Sequence, residues 1–377
     1  VVITLTPTDA TSGVANTYYK KWLSTAIEPT SYTAGTTVTI TADGTWYVKY
    51  YSVDVATNEE GAHAVEVRVD TTAPTLTLTK TGTLGENGYY TTAVTITLTA
   101  SDATSDVASV EYNYAESWVT YTVPFEITAD GTYTVQYRAT DNAGKVFTAT
   151  PETIKIDKTA PATTDDAPTG WQTTSPVVIT LTPTDATSGV ANTYYKKWLT
   201  TATEPTSYTS GTSFNISADG KWYVEYYSVD AATNAEGVHT VEVWVDTTAP
   251  TLTLTQTGTL GENDYYTSAV TITLTASDGT SGVASVEYNY AESWVTYTAA
   301  FDIGDTADGT YIVQYRATDN AGNIKVGTAV TVKIDKTAPA TTDDAPAGWQ
   351  TTSPVVITLT PTDATSGVAN TYYKKWL

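Results

Sequence analysis

The residues best placed for chemistry are aspartates that recur at three positions of a repeating pattern. One set lies in a linker that reads VDTTAPT or IDKTAPA: Asp70, Asp157, Asp246 and Asp335. A second follows a long Thr-rich run: Asp9, Asp102, Asp185, Asp278 and Asp363. A third opens a DNAG or D-x-A-T-N turn: Asp54, Asp141, Asp230 and Asp319. Two linkers add paired acids, Asp165–Asp166 and Asp343–Asp344. Carboxylates gathered with backbone carbonyls at a domain junction suit a hard cation, so Ca2+ is the one cofactor these residues suggest. The spacing matches no EF-hand loop, and Asp also sits in turns because its side chain caps nearby backbone groups.

Other chemistry finds little to work with. Cys is absent and only two His are present, which excludes disulfides and thiolate metal sites. His63 and His239 occupy equivalent positions beside an acid-rich turn, without a nucleophile motif such as G-x-S-x-G or a glycine-rich phosphate loop. Paired carboxylates for glycoside cleavage can be picked only arbitrarily from 41 acids. The expectation is that the chain is not an enzyme and that most of its ionisable groups serve solubility.

Two surface features remain. In type A repeats, defined below, an inward-facing Trp222, Val224 and Tyr226 would turn Tyr223 and Tyr227 outward, and Tyr47 and Tyr51 are their first-repeat counterparts. Outward tyrosines on one strand suit a contact with a neighbouring molecule or a glycan, or ordinary cross-strand pairing. Asn215-Ile216-Ser217 is the single N-glycosylation sequon, a pattern that also arises by chance.

The elements that must position these groups announce themselves by repetition. VVITLTPTDATSGVANTYYKKWL occurs unchanged at Val1–Leu23, Val177–Leu199 and Val355–Leu377. The linker aspartates divide each long period into alternating types A and B, giving domains at 1–70 (A, partial), 71–157 (B), 158–246 (A), 247–335 (B) and 336–377 (A, partial). Within each, short runs alternate polar and apolar residues with period two, as half-buried strands do. In GTYTVQYRATD, Tyr133, Val135 and Tyr137 share one face and Thr134, Gln136 and Arg138 the other. Turn clusters such as DATSG, ADG and DNAG separate the runs. Roughly a fifth of the chain is Thr, a β-branched bias that favours strands. The expected class is all-β, with tandem β-sandwiches of two alternating kinds. Trp22, Trp118, Trp198 and Trp294 are expected to pack over the sandwich cores.

The DTTAP or DKTAP linker, the TDATSGV turn, the ADGTY strand entry and the YRATDNAGN strand exit together resemble the Ig-like repeats of prokaryotic surface proteins, including outer-membrane-protein-type β-repeats. The resemblance spans the whole chain and implies an extracellular or cell-surface location with a spacer, adhesive or lattice-forming role. The AATNAEG turn of type A departs from the DNAGN pattern.

Pro74, Pro161, Pro250 and Pro339 stiffen the linkers, so a rod with about 35–40 Å per domain is expected. Its first and last segments fall inside type A domains and read as a window on a longer periodic chain; completion by a strand from another subunit is the alternative. The expected role is a subunit of an extracellular filament, sheath or surface layer whose main partner is itself, with surface glycan as a further partner. An adhesin stalk and a carbohydrate-binding accessory module are the other two readings. A net charge of −23 argues against nucleic acid and anionic lipid, and no apolar run is long enough to insert in a membrane as a helix.

Overall fold

A computed structural model describes residues 1–376; Leu377, the last residue of the third exact repeat, lies outside the described residues. Every helix or strand assigned among the described residues is a β-strand. No described helix is long and apolar enough to cross a membrane. Contacts divide the chain into two compact units, one comprising 1–162 with 184–191 and 228–236, the other the remaining residues.

The first unit contains two sandwiches. In one, a sheet ordered Thr33–Ala34, Val14–Leu23, Gly44–Asp54 and His63–Val69 accompanies the pair Val2–Thr4 and Thr37–Thr39, around a core of Leu5, Val38, Ile40, Val48 and Val69. In the other, Phe125–Ile127, Val94–Ser101 and Thr75–Thr81 form one sheet, and Val107–Asn113, Gly131–Asp141 and Glu152–Ile156 are central to the second. The second unit has its own cores, one built on Ile179, Phe214, Ile216, Val224 and Val243, the other on Val270, Ile272, Ile303, Val313 and Ile334. Residues 336–376 add the strand pair Ala340–Asp343 and Leu359–Thr362.

Period-two alternation explains why these segments are strands. Val94, Ile96 and Leu98 are buried while Thr95 and Thr97 face the other way. Val135 and Tyr137 are buried and Tyr133 is half-buried, whereas Thr134 and Gln136 are exposed, which is the division of faces the sequence predicts. Each fully buried Ile or Val contributes about 1.5–3 kcal/mol relative to exposure. The outer faces account for the abundance of Thr: the hydroxyls of Thr75, Thr77 and Thr79 donate across the strand pair to the carbonyls of Ser101, Thr99 and Thr97.

The tryptophans correct one expectation. Trp22 and Trp198 lie on the outer face, against Tyr47 and Tyr223 at 5.7 and 5.6 Å between ring centroids. Trp118 and Trp294 fall just outside the strands and cover the guanidinium groups of Arg138 and Arg316 at 4.3 Å, which in turn pair with Glu111 and Glu287. The rings packed against the type B cores are instead Tyr112 on Phe125 and Tyr288 on Phe301, each pair 3.8 Å apart.

A short parallel pairing seats three of the four linkers. Tyr89–Tyr90 runs parallel to the end of Glu152–Ile156, Trp171–Gln172 to that of His239–Val245, and Tyr265–Tyr266 to that of Val330–Ile334. The next residue in each case is a linker aspartate, whose N–H donates to Tyr90, Gln172 or Tyr266 at 2.9 Å. The acid is therefore held in register with its own sandwich before the chain leaves it.

Candidate metal centre

Three strand ends bring the recurrent aspartates together. Asp70, Asp102 and Asp141 form one cluster, Asp157, Asp185 and Asp230 a second, and Asp246, Asp278 and Asp319 a third, each offering oxygens that lie within 4.8 Å of one another. Two oxygens that are each ~2.4 Å from a common ion are separated by at most ~4.8 Å, so the spacing fits one hard cation per cluster. Each cluster lies within a single compact unit. Lys and Arg make no ion pair with these nine carboxylates among the described residues.

Local turn geometry positions each member. The linker acid accepts from the N–H two residues on: Thr72 to Asp70, Thr159 to Asp157, Thr248 to Asp246. The acid after the Thr-rich strand is wrapped by the turn that follows it, Asp278 accepting from the N–H groups of Thr280, Ser281 and Gly282. Equivalent N–H groups of Thr104 and Ser105 hold the Asp102 carboxyl below the usual carboxylate range. The third acid is the last residue of the long strand and closes its own turn.

The second and third clusters are bridged by a carboxamide. Asn234 Nδ2 donates to the Asp157 carbonyl at 2.9 Å and to Asp230 Oδ2 at 2.7 Å; Asn323 Nδ2 donates to the Asp246 carbonyl at 2.8 Å and to Asp319 Oδ2 at 3.0 Å. The Ser188 and Ser281 N–H groups close the remaining side, on Asp157 Oδ2 and Asp246 Oδ2. In the first cluster Lys145 stands where those asparagines stand, and only its backbone N–H reaches Asp141.

The remaining candidate residues lie elsewhere. Asp335 meets Asp363 through the shared Ser366 N–H. Asp165 accepts from the Tyr226 hydroxyl and Ala167 N–H, and Asp166 from Thr180 N–H, so neither is among the clustered acids. Asp343 and Asp344 likewise accept from Ala345 and Thr358 N–H groups. His63 lies 3.3 Å from Glu60, and His239 stacks on Tyr226. Asn215 is exposed within Ser213–Ile216.

Sequence reasoning missed a further set, the aspartates of the ADG turns. Asp43, Asp130, Asp219 and Asp308 each precede a linker acid by 27 residues, and they accept hydrogen bonds from the linker's threonines: Thr71 and Thr72, Thr159, Thr247 and Thr248, and Thr337. The Thr72 and Thr71 hydroxyls hold the Asp43 carboxyl low, and the Thr337 hydroxyl does the same for Asp308. That constant interval was the available signal.

The outer-face aromatics form a second grouping. Tyr18 stacks on Tyr51 and Tyr194 on Tyr227; Tyr32 and Tyr208 meet the same two rings edge-on. Lys196 pairs with Glu204 and Glu225 and lies over Tyr208; Lys20 pairs with Glu28 and lies over Tyr32. Tyr47 is the most open of the four candidate contact residues, at 36% exposure.

No family model matches the chain, and no curated protein matches it. Among solved structures, it is similar to the fibronectin(III)-like modules of Clostridium thermocellum CbhA, at 16% identity over 45% of this chain and 94% of that one, TM-score 0.23. It is also similar to the FN1–FN3 domains of chicken CNTN1, at 11% identity over 68% of this chain and 97% of that one, TM-score 0.23. A third similarity is to a 1.5-MDa bacterial ice-binding adhesin, at 15% identity over 64% of this chain and 90% of that one, TM-score 0.27. At these identities and TM-scores the likenesses bear on neither ligand nor role, and none assigns the chain to a family.

Proposed function

We propose that this chain is a structural repeat segment of an extracellular or cell-surface protein that associates with copies of itself through its type A outer faces. The observation that carries this reading is repetition of a surface as well as a fold. The Trp22–Tyr47 and Tyr18–Tyr51–Tyr32 grouping recurs residue for residue as Trp198–Tyr223 and Tyr194–Tyr227–Tyr208, with centroid distances matching within 0.2 Å. A patch presented at regular intervals binds a like array at many points at once, and such multivalency turns weak contacts into stable association.

Sedimentation velocity tests the proposal. The native chain should form concentration-dependent multimers, and joint replacement Tyr47→Ser and Tyr223→Ser should weaken that association about tenfold per contact with the melting temperature nearly unchanged. A chain that stays monomeric at all concentrations, or a double variant that assembles like the parent, would count against it.

A further inference from the structure

Five buried side-chain oxygens among the described residues have no hydrogen-bond partner, and three of them converge on the first aspartate cluster: Asp70 Oδ2, Asp141 Oδ2 and Ser105 Oγ. Asp141 is 2% exposed. Buried polar atoms are almost always paired, because leaving one unsatisfied costs about 1–3 kcal/mol and more when it is charged. Two unpaired carboxylate oxygens in a cluster of three acids define a demand for positive charge that the other two clusters do not share, since there Asn234 and Asn323 donate to Asp230 and Asp319 Oδ2 and the Ser188 and Ser281 N–H groups donate to Asp157 and Asp246 Oδ2.

The sequence difference behind the unpaired Asp141 oxygen is one residue in a shared turn. DNAGN at Asp319–Asn323 becomes DNAGK at Asp141–Lys145. Lys145 is exposed and its ammonium makes no ion pair with Asp70, Asp102 or Asp141. The cluster also gains a neighbouring acid, Asp106, at the position that Gly189 and Gly282 occupy in the other two turns, and Asp106 adopts the left-handed conformation those glycines use, φ 63° against 80° and 81°. A pocket of about 630 Å3, lined in part by Asp70, Ser105, Asp106 and Asn142, gives access from solvent.

We propose that Asp70, Asp102 and Asp141, with the Ser105 hydroxyl as a neutral oxygen ligand, form a Ca2+ site, and that Lys145 in place of asparagine is what leaves it open to the ion. All the groups offered are oxygens, the spacing fits a single ion, and a large hard cation tolerates the irregular arrangement better than Mg2+, which demands a near-octahedral shell. The two asparagine-bridged clusters have the same acids but present their third carboxylate already engaged. This inference stands apart from the self-association reading, because ion uptake by a single chain does not depend on assembly.

Equilibrium dialysis of the whole chain against 45Ca2+ with excess Mg2+ tests it. The expected result is one Ca2+ held more tightly than any other, saturating below about 1 mM, the range of extracellular modules. Asp141→Asn should abolish that uptake. Lys145→Asn, a change at an exposed side chain that supplies the missing amide, should weaken it about tenfold or more. Asn323→Ala should create a second tight site by freeing Asp319 Oδ2. No saturable uptake, uptake indifferent to Lys145→Asn, or three equivalent sites in the native chain would each overturn the proposal. Should Asp141→Asn fail to fold, Lys145→Asn decides the matter.

Discussion

Ile154→Ala should lower the stability of the sandwich that contains it by about 3–4 kcal/mol and leave the other cores unaffected. Ile154 is fully buried at the centre of Glu152–Ile156 and packs in a cluster with Val94, Ile96, Val135 and Ile156. That cluster shares no residue with the core built on Val38 and Val48 or with the two cores of the second unit. A domain of under a hundred residues has a net stability of about 5–15 kcal/mol, so this loss is a large fraction of it. Calorimetry should show one transition moved down by roughly 15–25 °C while the remainder keep their midpoints. Movement of the whole trace together would mean that the sandwiches unfold as one cooperative body.

The second large effect is expected at a glycine where two segments of the first unit, 84–88 and 228–236, meet. A Cβ at Gly85 would lie 2.1 Å from the carbonyl oxygen of Ala232, a backbone atom that cannot swing aside. Beside it, Asn87 Nδ2 donates to the Ala231 carbonyl at 2.9 Å. Gly85→Ala must therefore push the 84–88 loop away from the 231–232 turn and lose that hydrogen bond, at about 2–3 kcal/mol. Gly261 is the counterpart in the second type B domain, and its Cβ would meet only Thr267 Cγ2 at 3.0 Å and the Tyr265 carbonyl at 3.2 Å. Hydrogen exchange at residues 231–234 should accelerate in Gly85→Ala and stay unchanged in Gly261→Ala. Equal protection in both variants would show that the 84–88 loop does not hold the 231–234 turn in place.

How much of this is legible in the sequence depends on whether the two faces of a strand differ in polarity. GTYTVQYRATD separates cleanly into apolar and polar sets, so its buried face follows from alternation alone. VANTYYKKWL does not: one parity holds Thr17, Tyr19, Lys21 and Leu23, the other Tyr18, Lys20 and Trp22. Both sets mix aromatic with charged or polar groups. Packing decides between them, Tyr19 lying against the core and Trp22 going outside, and the expectation that the tryptophans cover the cores fails for this reason. Trp118 and Trp294 escape prediction differently, because a guanidinium on a neighbouring strand attracts the indole face to the outside.

The recurrence of the aspartates is plain in the sequence, but their convergence is not. Asp70, Asp102 and Asp141 are 32 and 39 residues apart, and only the sandwich topology carries the three strand ends to one place. The paired acids Asp165 and Asp166 look equally suited and are instead used to anchor Tyr226 and Thr180. The difference between Lys145 and Asn323 reads as an ordinary turn variation until the hydrogen bonds of Asn323 are seen. The ADG aspartates were visible as a 27-residue interval, yet a carboxylate in a Gly turn suggests capping of its own loop and not a bond to the next linker.

Electron microscopy of native material containing this chain tests most directly whether its sandwiches exist to build an extended self-associating structure. Fibres or sheets with an axial repeat of about 70–80 Å, the span of one A–B pair from strand rise and loops, are the predicted result. Dispersed compact particles without any axial repeat would contradict it.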